Sequence, residues 1–369
     1  MRLFPSFALA IAIGAASQLN SQNLGSSLGA LDVTKVVSGL DEPWAIGFLP
    51  SGALLITERA GRLLHISPDG TVQTVTGLPQ VEADGQQGGL LDVLVPIDFA
   101  QTRQIYLTYS KDQRRGAGTA VAVGTLSSDG SRLEATRDIF EMATGTRSGR
   151  HFGSRIVEGG DGHLYITIGD RGDRDLAQDT SIEAGSVVRI AHDEFIPADN
   201  PFLGDRRAQP GLYSIGHRNP QGAARDAAGN LWVVEHGARG GDEVNFLRPG
   251  ANYGWPVISY GTHYSGFSIG EGTQQDGLEQ PAHYWDPSIA SSGMMIYQGS
   301  MFPEWQGDIF VGSLKFNLIS RLEVSGEDAT EVEELEGPET GRVRDIRQAP
   351  DGSIWFLSVG LGAAYRISR

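Results

Sequence analysis

One phrase recurs along this chain: a turn, a glycine, then a short strand of β-branched, aromatic and aliphatic residues. It reads Ser51-Gly52-Ala53-Leu54-Leu55-Ile56-Thr57, then Gln104-Ile105-Tyr106-Leu107-Thr108-Tyr109, then Asp161-Gly162-His163-Leu164-Tyr165-Ile166-Thr167. It returns as Ala228-Gly229-Asn230-Leu231-Trp232-Val233-Val234, Gln306-Gly307-Asp308-Ile309-Phe310-Val311 and Asp351-Gly352-Ser353-Ile354-Trp355-Phe356-Leu357. The copies lie roughly 45 to 80 residues apart, the wider gaps holding inserted loops, which is the spacing of four-stranded blades around a central channel. No amphipathic helical pattern exceeds a turn or two. The expectation is an all-β, six-bladed β-propeller; a seventh blade or a pair of β-sandwiches also fits so degenerate a repeat.

Composition agrees with a single large β unit. The 369 residues are 40% hydrophobic, enough for a core, and the 50 glycines follow no collagen period, so they supply tight turns. The formal charge of -16 argues against a nucleic-acid partner, which needs a basic footprint. With no cysteine there are no disulfides, thiolate ligands or cysteine nucleophiles. Met1-Arg2, the apolar run Leu3 to Ala16 and the polar Ser17 to Gln22 have the layout of a secretory signal peptide, too short to span a bilayer comfortably. Residues 1–22 are therefore expected to be a signal peptide, 23–32 a flexible leader and 33–369 one propeller, periplasmic or secreted, with no membrane span.

Inner strands of a propeller converge on the channel, so its loops bring sequence-distant polar groups to one pocket. Four places fit. Arg150-His151-Phe152-Gly153-Ser154-Arg155 precedes a repeated strand and offers an imidazole, the side chain suited to taking a proton near neutrality, with Asp170 available to hold its other nitrogen. Gly216-His217-Arg218-Asn219-Pro220-Gln221-Gly222 sets a guanidinium beside an amide, a pair able to donate to a carbonyl oxygen. Lys315 follows the fifth repeated strand, and Gly341-Arg342-Val343-Arg344-Asp345 precedes the sixth. In an extended chain Arg342 and Arg344 point to one side, a two-pronged clamp for a ligand with several carboxylates.

The stretch from Leu212 to Trp255, the His151 motif and the K…RxRD pattern together resemble the soluble PQQ-dependent sugar dehydrogenases, in particular the aldose sugar dehydrogenase branch. The resemblance runs from about Gly39 to the C-terminus. It implies oxidation of the C1 hydroxyl of an aldose to the lactone by hydride transfer to PQQ, and reoxidation by an external acceptor such as a dye, a quinone or a cytochrome. It makes His151 the general base, places Arg218 and Asn219 at the quinone carbonyl, and gives Lys315, Arg342 and Arg344 to the cofactor carboxylates. Gln87 is carried over as a cofactor contact, although glutamine also occupies position 86, where the family has glycine, and a loop shifted by one residue would give the role to Gln86. Calcium, held in the family by successive main-chain carbonyls of a glycine-proline pair, maps to Gly237 and Ala238, with alanine where proline is usual. Asp242 and Glu243 beside them read as loop-organising carboxylates or a separate structural site. Trp285, in His283-Tyr284-Trp285-Asp286-Pro287, maps to an aromatic wall of the sugar pocket, and ordinary core is its other reading.

Two other classes remain open to such a fold. A calcium-dependent propeller lactonase or hydrolase would need carboxylates and asparagines converging on its metal, and a secreted binding propeller would turn nothing over. The chain has no G-x-x-x-x-G-K-[ST], H-E-x-x-H or G-x-S-x-G motif.

Overall fold

The structure, a computed structural model, describes residues 22–83 and 86–369. The expected signal peptide falls almost wholly on residues 1–21, outside the described ones. A hairpin opens the described chain: β1 (Gln22–Ser26) and β2 (Gly29–Ser38). Then come five antiparallel four-stranded sheets in chain order. The first holds β3 (Pro43–Phe48), β4 (Leu54–Glu58), β5 (Arg62–Ile66) and β6 (Val72–Val75). β7 (Leu90–Leu94), β8 (Gln104–Gln113), β9 (Gly116–Leu126) and β10 (Leu133–Glu141) form the second; β11 (Ile156–Glu158), β12 (Leu164–Ile168), β13 (Ser186–Ile190) and β14 (Leu212–Ile215) the third. The fourth is β15 (Pro220–Arg225), β16 (Leu231–Glu235), β17 (Asp242–Phe246) and β18 (His283–Trp285), and the fifth β19 (Ser291–Ile296), β20 (Ile309–Ser313), β21 (Leu318–Ser325) and β22 (Asp328–Glu336). β23 (Val343–Gln348), β24 (Ile354–Ser358) and β25 (Ala363–Ser368) form the last sheet, which β2 and β1 complete from the other end of the chain.

The first strands touch in a closed cycle, β3 to β7, β11, β15, β19, β23 and back to β3. That is a six-bladed propeller. Its ring is sealed where β2 pairs with β25, Asp32 opposite Ser368 through Ser38 opposite Ala363, so no blade edge is left between the two ends of the chain.

Each recurring phrase of the sequence is the second strand of a blade. These strands lie between neighbouring blades, and every residue of β4, β12, β16, β20 and β24 is buried. Side chains alternate across a strand, so both sets are apolar except toward the C-terminal ends, where Thr57, Glu58, Thr167, Glu235, Ser313 and Ser358 are buried polar residues. In β16, Leu231 and Val233 enter the core shared with the third blade, whereas Trp232 and Val234 enter the core shared with the fifth. One such apolar layer fills each of the six blade interfaces. The glycine of the phrase closes the preceding turn in the left-handed region, with φ of +83° at Gly52, +74° at Gly162, +93° at Gly229, +90° at Gly307 and +83° at Gly352. The second blade, whose copy lacks glycine, turns instead on Arg103 (φ +55°) at the end of a short helix, α1 (Phe99–Thr102).

Residues 23–32 differ from the expected flexible leader. They are the β1–β2 hairpin, with Leu24, Leu31 and Val33 buried against the last two blades. The Gly/Ser content that reads as flexibility serves the reversal at Ser26 to Gly29 (Gly29 φ +95°), and three aliphatic side chains provide the burial that orders it. Among the described residues no helix is long and apolar enough to cross a membrane.

Candidate functional site

Loops entering the inner strands and loops joining second to third strands open at one end of the channel. They enclose a cavity of about 1140 Å³. His151, Gln87, Arg218, Asn219, Gly237, Ala238, Lys315, Arg342 and Arg344 all line it, so the fold gathers residues from five blades of the sequence-derived set. Trp285 does not. Its ring is buried in the layer between the fourth and fifth blades with Trp232, Met294 and Leu322, and its Nε1–H donates to Glu331 Oε1 at 3.0 Å. The strand register explains this: Trp285 lies opposite Asp242 on β17 and so faces the next blade, not the channel. The exposed aromatic at the cavity is Tyr264, on the long excursion between β17 and β18.

β-Bulges aim three of the channel side chains. The ladder slips between Pro43 and Ala45, between Pro220 and Gly222, and between Val343 and Asp345, so Trp44, Gln221 and Arg344 are the extra residues of their inner strands. A bulge re-aims one side chain without disturbing the rest of the blade. The clamp thus arises differently from the expected strand alternation: Arg342 precedes β23 in the left-handed region (φ +53°), and Arg344 is bulged.

At one wall His151 Nδ1 lies 2.6 Å from Asp170 Oδ1. A carboxylate only accepts, so Nδ1 carries the proton and Nε2 keeps its lone pair. Asp170 is itself fixed, accepting the Gly172 N–H at 2.7 Å and the Trp255 indole N–H at 2.9 Å. Burial lowers the His151 pKa below that of a free imidazole; the Asp170 hydrogen bond opposes this and the Arg218 charge adds to it. The backbone is strained here, with positive φ at His151 (+51°), Ser154 (+79°) and Arg171 (+58°). Gln87 Oε1 accepts the His151 N–H at 2.8 Å, whereas Gln86 Oε1 accepts from Arg150, so the two glutamines have separate tasks. From behind, the buried Arg171 guanidinium donates to the carbonyls of Ser148 and Arg150 and lies over the Phe152 ring.

Facing it are Arg218 and Asn219. Arg218 Nη1 donates to the His236 carbonyl at 3.2 Å, its guanidinium sits 5.3 Å from the Trp255 ring centre, and its buried Nε has no partner among the described residues. Its main-chain N–H donates to Glu235 Oε2 at 2.6 Å, and Glu235 Oε1 is 2.8 Å from His217 Nδ1, whose Nε2 is 2.9 Å from Ser214 Oγ. That chain has the order of a hydrolytic triad, yet Ser214 and His217 are sealed from solvent, so it serves to hold the Arg218 loop. Asn219 Oδ1 accepts the Gly153 N–H at 3.2 Å, which turns its amide nitrogen the other way.

The Gly237–Ala238 loop is tightly wound. A Cβ at Gly237 would stand 2.2 Å from the carbonyl oxygens of Gly240 and Gly241. Asp242 organises the turn, Oδ1 accepting the Gly237 N–H at 2.8 Å and Oδ2 the Ser291 N–H at 3.0 Å. Glu243 lies behind it, its pKa raised by burial and by Glu235. The neighbouring His236 ring, pushed down to about 4 chiefly by burial, lines the cavity as a neutral imidazole.

Among the described residues, six cationic side chains line the cavity (Arg59, Arg218, Arg239, Lys315, Arg342 and Arg344) against two carboxylates, Glu42 and Asp286. In a chain of charge -16 this is a local inversion that suits an anionic ligand. Trp44, Gln221 and His236, also in the lining, escaped sequence reasoning. So did Asp92, Arg155, Asp345 and Arg347 beneath it, although three of these stand inside or beside the motifs already singled out.

Comparison with known proteins matches residues 40–365 to the family described as Glucose / Sorbosone dehydrogenase. The chain is 42% identical over 344 residues to aldose sugar dehydrogenase YliI of Escherichia coli K12, covering 92% of each. Among solved structures it is similar to the apo-form of the soluble aldose sugar dehydrogenase from Escherichia coli (TM-score 0.88, 40% identity, 92% of this chain and 99% of that one). It is also similar to the PQQ-bound form of aldose sugar dehydrogenase from Streptomyces coelicolor (TM-score 0.75, 25% identity, 91% and 97%).

Proposed function

Because the chain belongs to the glucose / sorbosone dehydrogenase family, we propose that it is a PQQ-dependent aldose dehydrogenase that oxidises the sugar C1 hydroxyl to the lactone. The observation that carries this reading is the cavity itself: a surplus of cations around an imidazole whose tautomer Asp170 fixes. PQQ has three carboxylates and a quinone, and the residues present fit both. Arg342, Arg344 and Lys315 supply charge for the carboxylates, and the unpartnered buried Nε of Arg218 supplies a donor for a carbonyl oxygen. When bound, PQQ would supply the oxidant, taking the C1 hydrogen of the sugar with its electron pair.

The protein's own part is acid–base and electrostatic. His151, neutral because burial depresses its pKa, takes the C1 hydroxyl proton on Nε2. Asp170 keeps Nδ1–H in place and offsets the imidazolium charge as it forms. Arg218, anchored through Glu235 and Trp255, stabilises negative charge developing opposite. Calcium would be held by the main-chain oxygens of Gly237 and Ala238, a hard-donor set that alanine can supply as proline does, although without proline's fixed φ the loop is less pre-organised even with Asp242 tying it. A hydrolase metal centre needs the reverse charge pattern, with carboxylates in excess.

Export to the periplasm or medium, on the strength of residues 1–22, and reoxidation by an external dye, quinone or cytochrome belong to the same reading. The test is reconstitution of purified apoprotein with PQQ and calcium, then dye reduction across a panel of aldoses. Aldose-dependent reduction that needs PQQ is the expected result; lactone opening without PQQ would replace this reading with a hydrolase.

A further inference from the structure

Charges at the floor of the cavity do not balance. Asp92 and Asp345, both fully buried, are shared between two guanidiniums: Arg155 Nη1 lies 3.0 Å from one and 3.1 Å from the other, and Arg347 reaches them at 2.8 and 3.1 Å. That quartet is neutral. Arg344, adjacent to Asp345 in sequence, stands outside it and makes no ion pair among the described residues. Its Nη1 donates to the side-chain oxygen of Gln221 at 2.6 Å, across the channel on the fourth blade. Burial, with the charges of Arg155 and Arg342 and against the opposing charge of Asp345, pushes the Arg344 pKa down to about 9, which leaves it cationic at neutral pH.

A half-buried charge with no ion pair is costly, and a carboxylate at position 221 would have the same shape as the glutamine and would neutralise it. The chain places a neutral acceptor there, and places it deliberately in structural terms, since Gln221 and Arg344 are both bulged residues aimed at each other. We propose that Gln221 is a positioning and specificity-determining residue: it orients the Arg344 fork without neutralising it, reserving that charge for a carboxylate of the bound ligand. The identity of that ligand as PQQ rests on the function proposed above; the reserved charge does not.

The test is Gln221→Glu in the full chain, beside Gln221→Met, with three readouts: PQQ affinity by quenching of tryptophan fluorescence, the Tm of the apoprotein, and the rise in apo Tm caused by citrate, a simple tricarboxylate. Gln221→Glu should weaken PQQ binding about tenfold or more, the scale of one charge-assisted contact, while its apo Tm is unchanged or higher. Gln221→Met, which frees the guanidinium but keeps its charge, should weaken binding less. Parallel loss of affinity and apo stability in Gln221→Glu, or affinity within about twofold of wild type, a change too small for such a contact, overturns the inference. Should wild-type protein fail to bind PQQ, the proposed function falls and citrate decides the rest. A citrate-induced rise present in wild type and lost in Gln221→Glu supports the reserved charge, and equal or absent rises refute it.

Discussion

Replacing Asp170 with asparagine changes one atom and puts three hydrogen bonds in conflict. The carboxylate accepts from His151 Nδ1 and Gly172 N on Oδ1, and from Trp255 Nε1 on Oδ2. An amide has one acceptor oxygen. With that oxygen toward His151, its NH2 meets the Trp255 N–H; turned over, its NH2 meets the Gly172 N–H and donates to Nδ1, which moves the imidazole proton to Nε2 and blocks the base. Each orientation leaves one buried donor unpaired, so neither dominates. Even the first loses a hydrogen bond to a charged group, roughly 1.5–3 kcal/mol. At 1.36 kcal/mol per decade that is about one to two decades in rate, and the wrong tautomer adds to it. Asp170→Asn should therefore cut kcat about 10²–10³-fold at saturating PQQ with little change in PQQ affinity, measured by dye reduction and fluorescence titration.

The pH profile gives an independent sign. A base must be neutral, so activity is lost as pH falls through the His151 pKa, which burial sets below the ordinary imidazole value. The Asp170 hydrogen bond and charge raise that pKa, so removing them should move the acidic limb of kcat/KM further down. A turnover within about threefold of wild type, less than half a decade, or an acidic limb that moves up, would refute the dyad.

Four further outcomes follow from the site. His151→Ala should lower kcat by about two to four decades with PQQ affinity kept, and near wild-type turnover would dismiss it as the base. The pair Arg342→Ala and Arg344→Ala should weaken PQQ affinity far more than it slows the saturated enzyme; unchanged titration would return both arginines to a surface role. Chelation should abolish activity and calcium restore it, at less free calcium in Ala238→Pro; full activity after chelation sinks the calcium site, and loss of the calcium response in Asp242→Asn with an unaltered apo Tm moves the ligand role to that carboxylate. Trp285→Phe should leave KM for aldoses unchanged while costing about 1–3 kcal/mol in urea unfolding, because Glu331 loses its indole partner; a raised KM would restore Trp285 to the sugar pocket.

Some of this protein is legible one window at a time. A strand buried on both faces must be apolar on consecutive residues, and a left-handed turn before it favours glycine, so the recurring phrase around Leu54, Leu164, Leu231, Ile309 and Ile354 specifies blades wherever it occurs. Local chemistry also marks His151, Arg218 and the Arg342–Arg344 pair, because charged groups beside glycines at strand ends have few structural uses. Tertiary structure decided what depends on summing over distance. Whether Trp285 faces sugar or core hangs on its register with Asp242, and the order of residues 23–32 on blades more than 250 residues later. The charge ledger is the clearest case: Arg155 and Arg347 are balanced by Asp92 and Asp345 from other parts of the chain, while Arg344 is left over. A sequence states which charges exist, but a cation is spare only relative to its neighbours in space, and those are fixed only when the ring of blades closes.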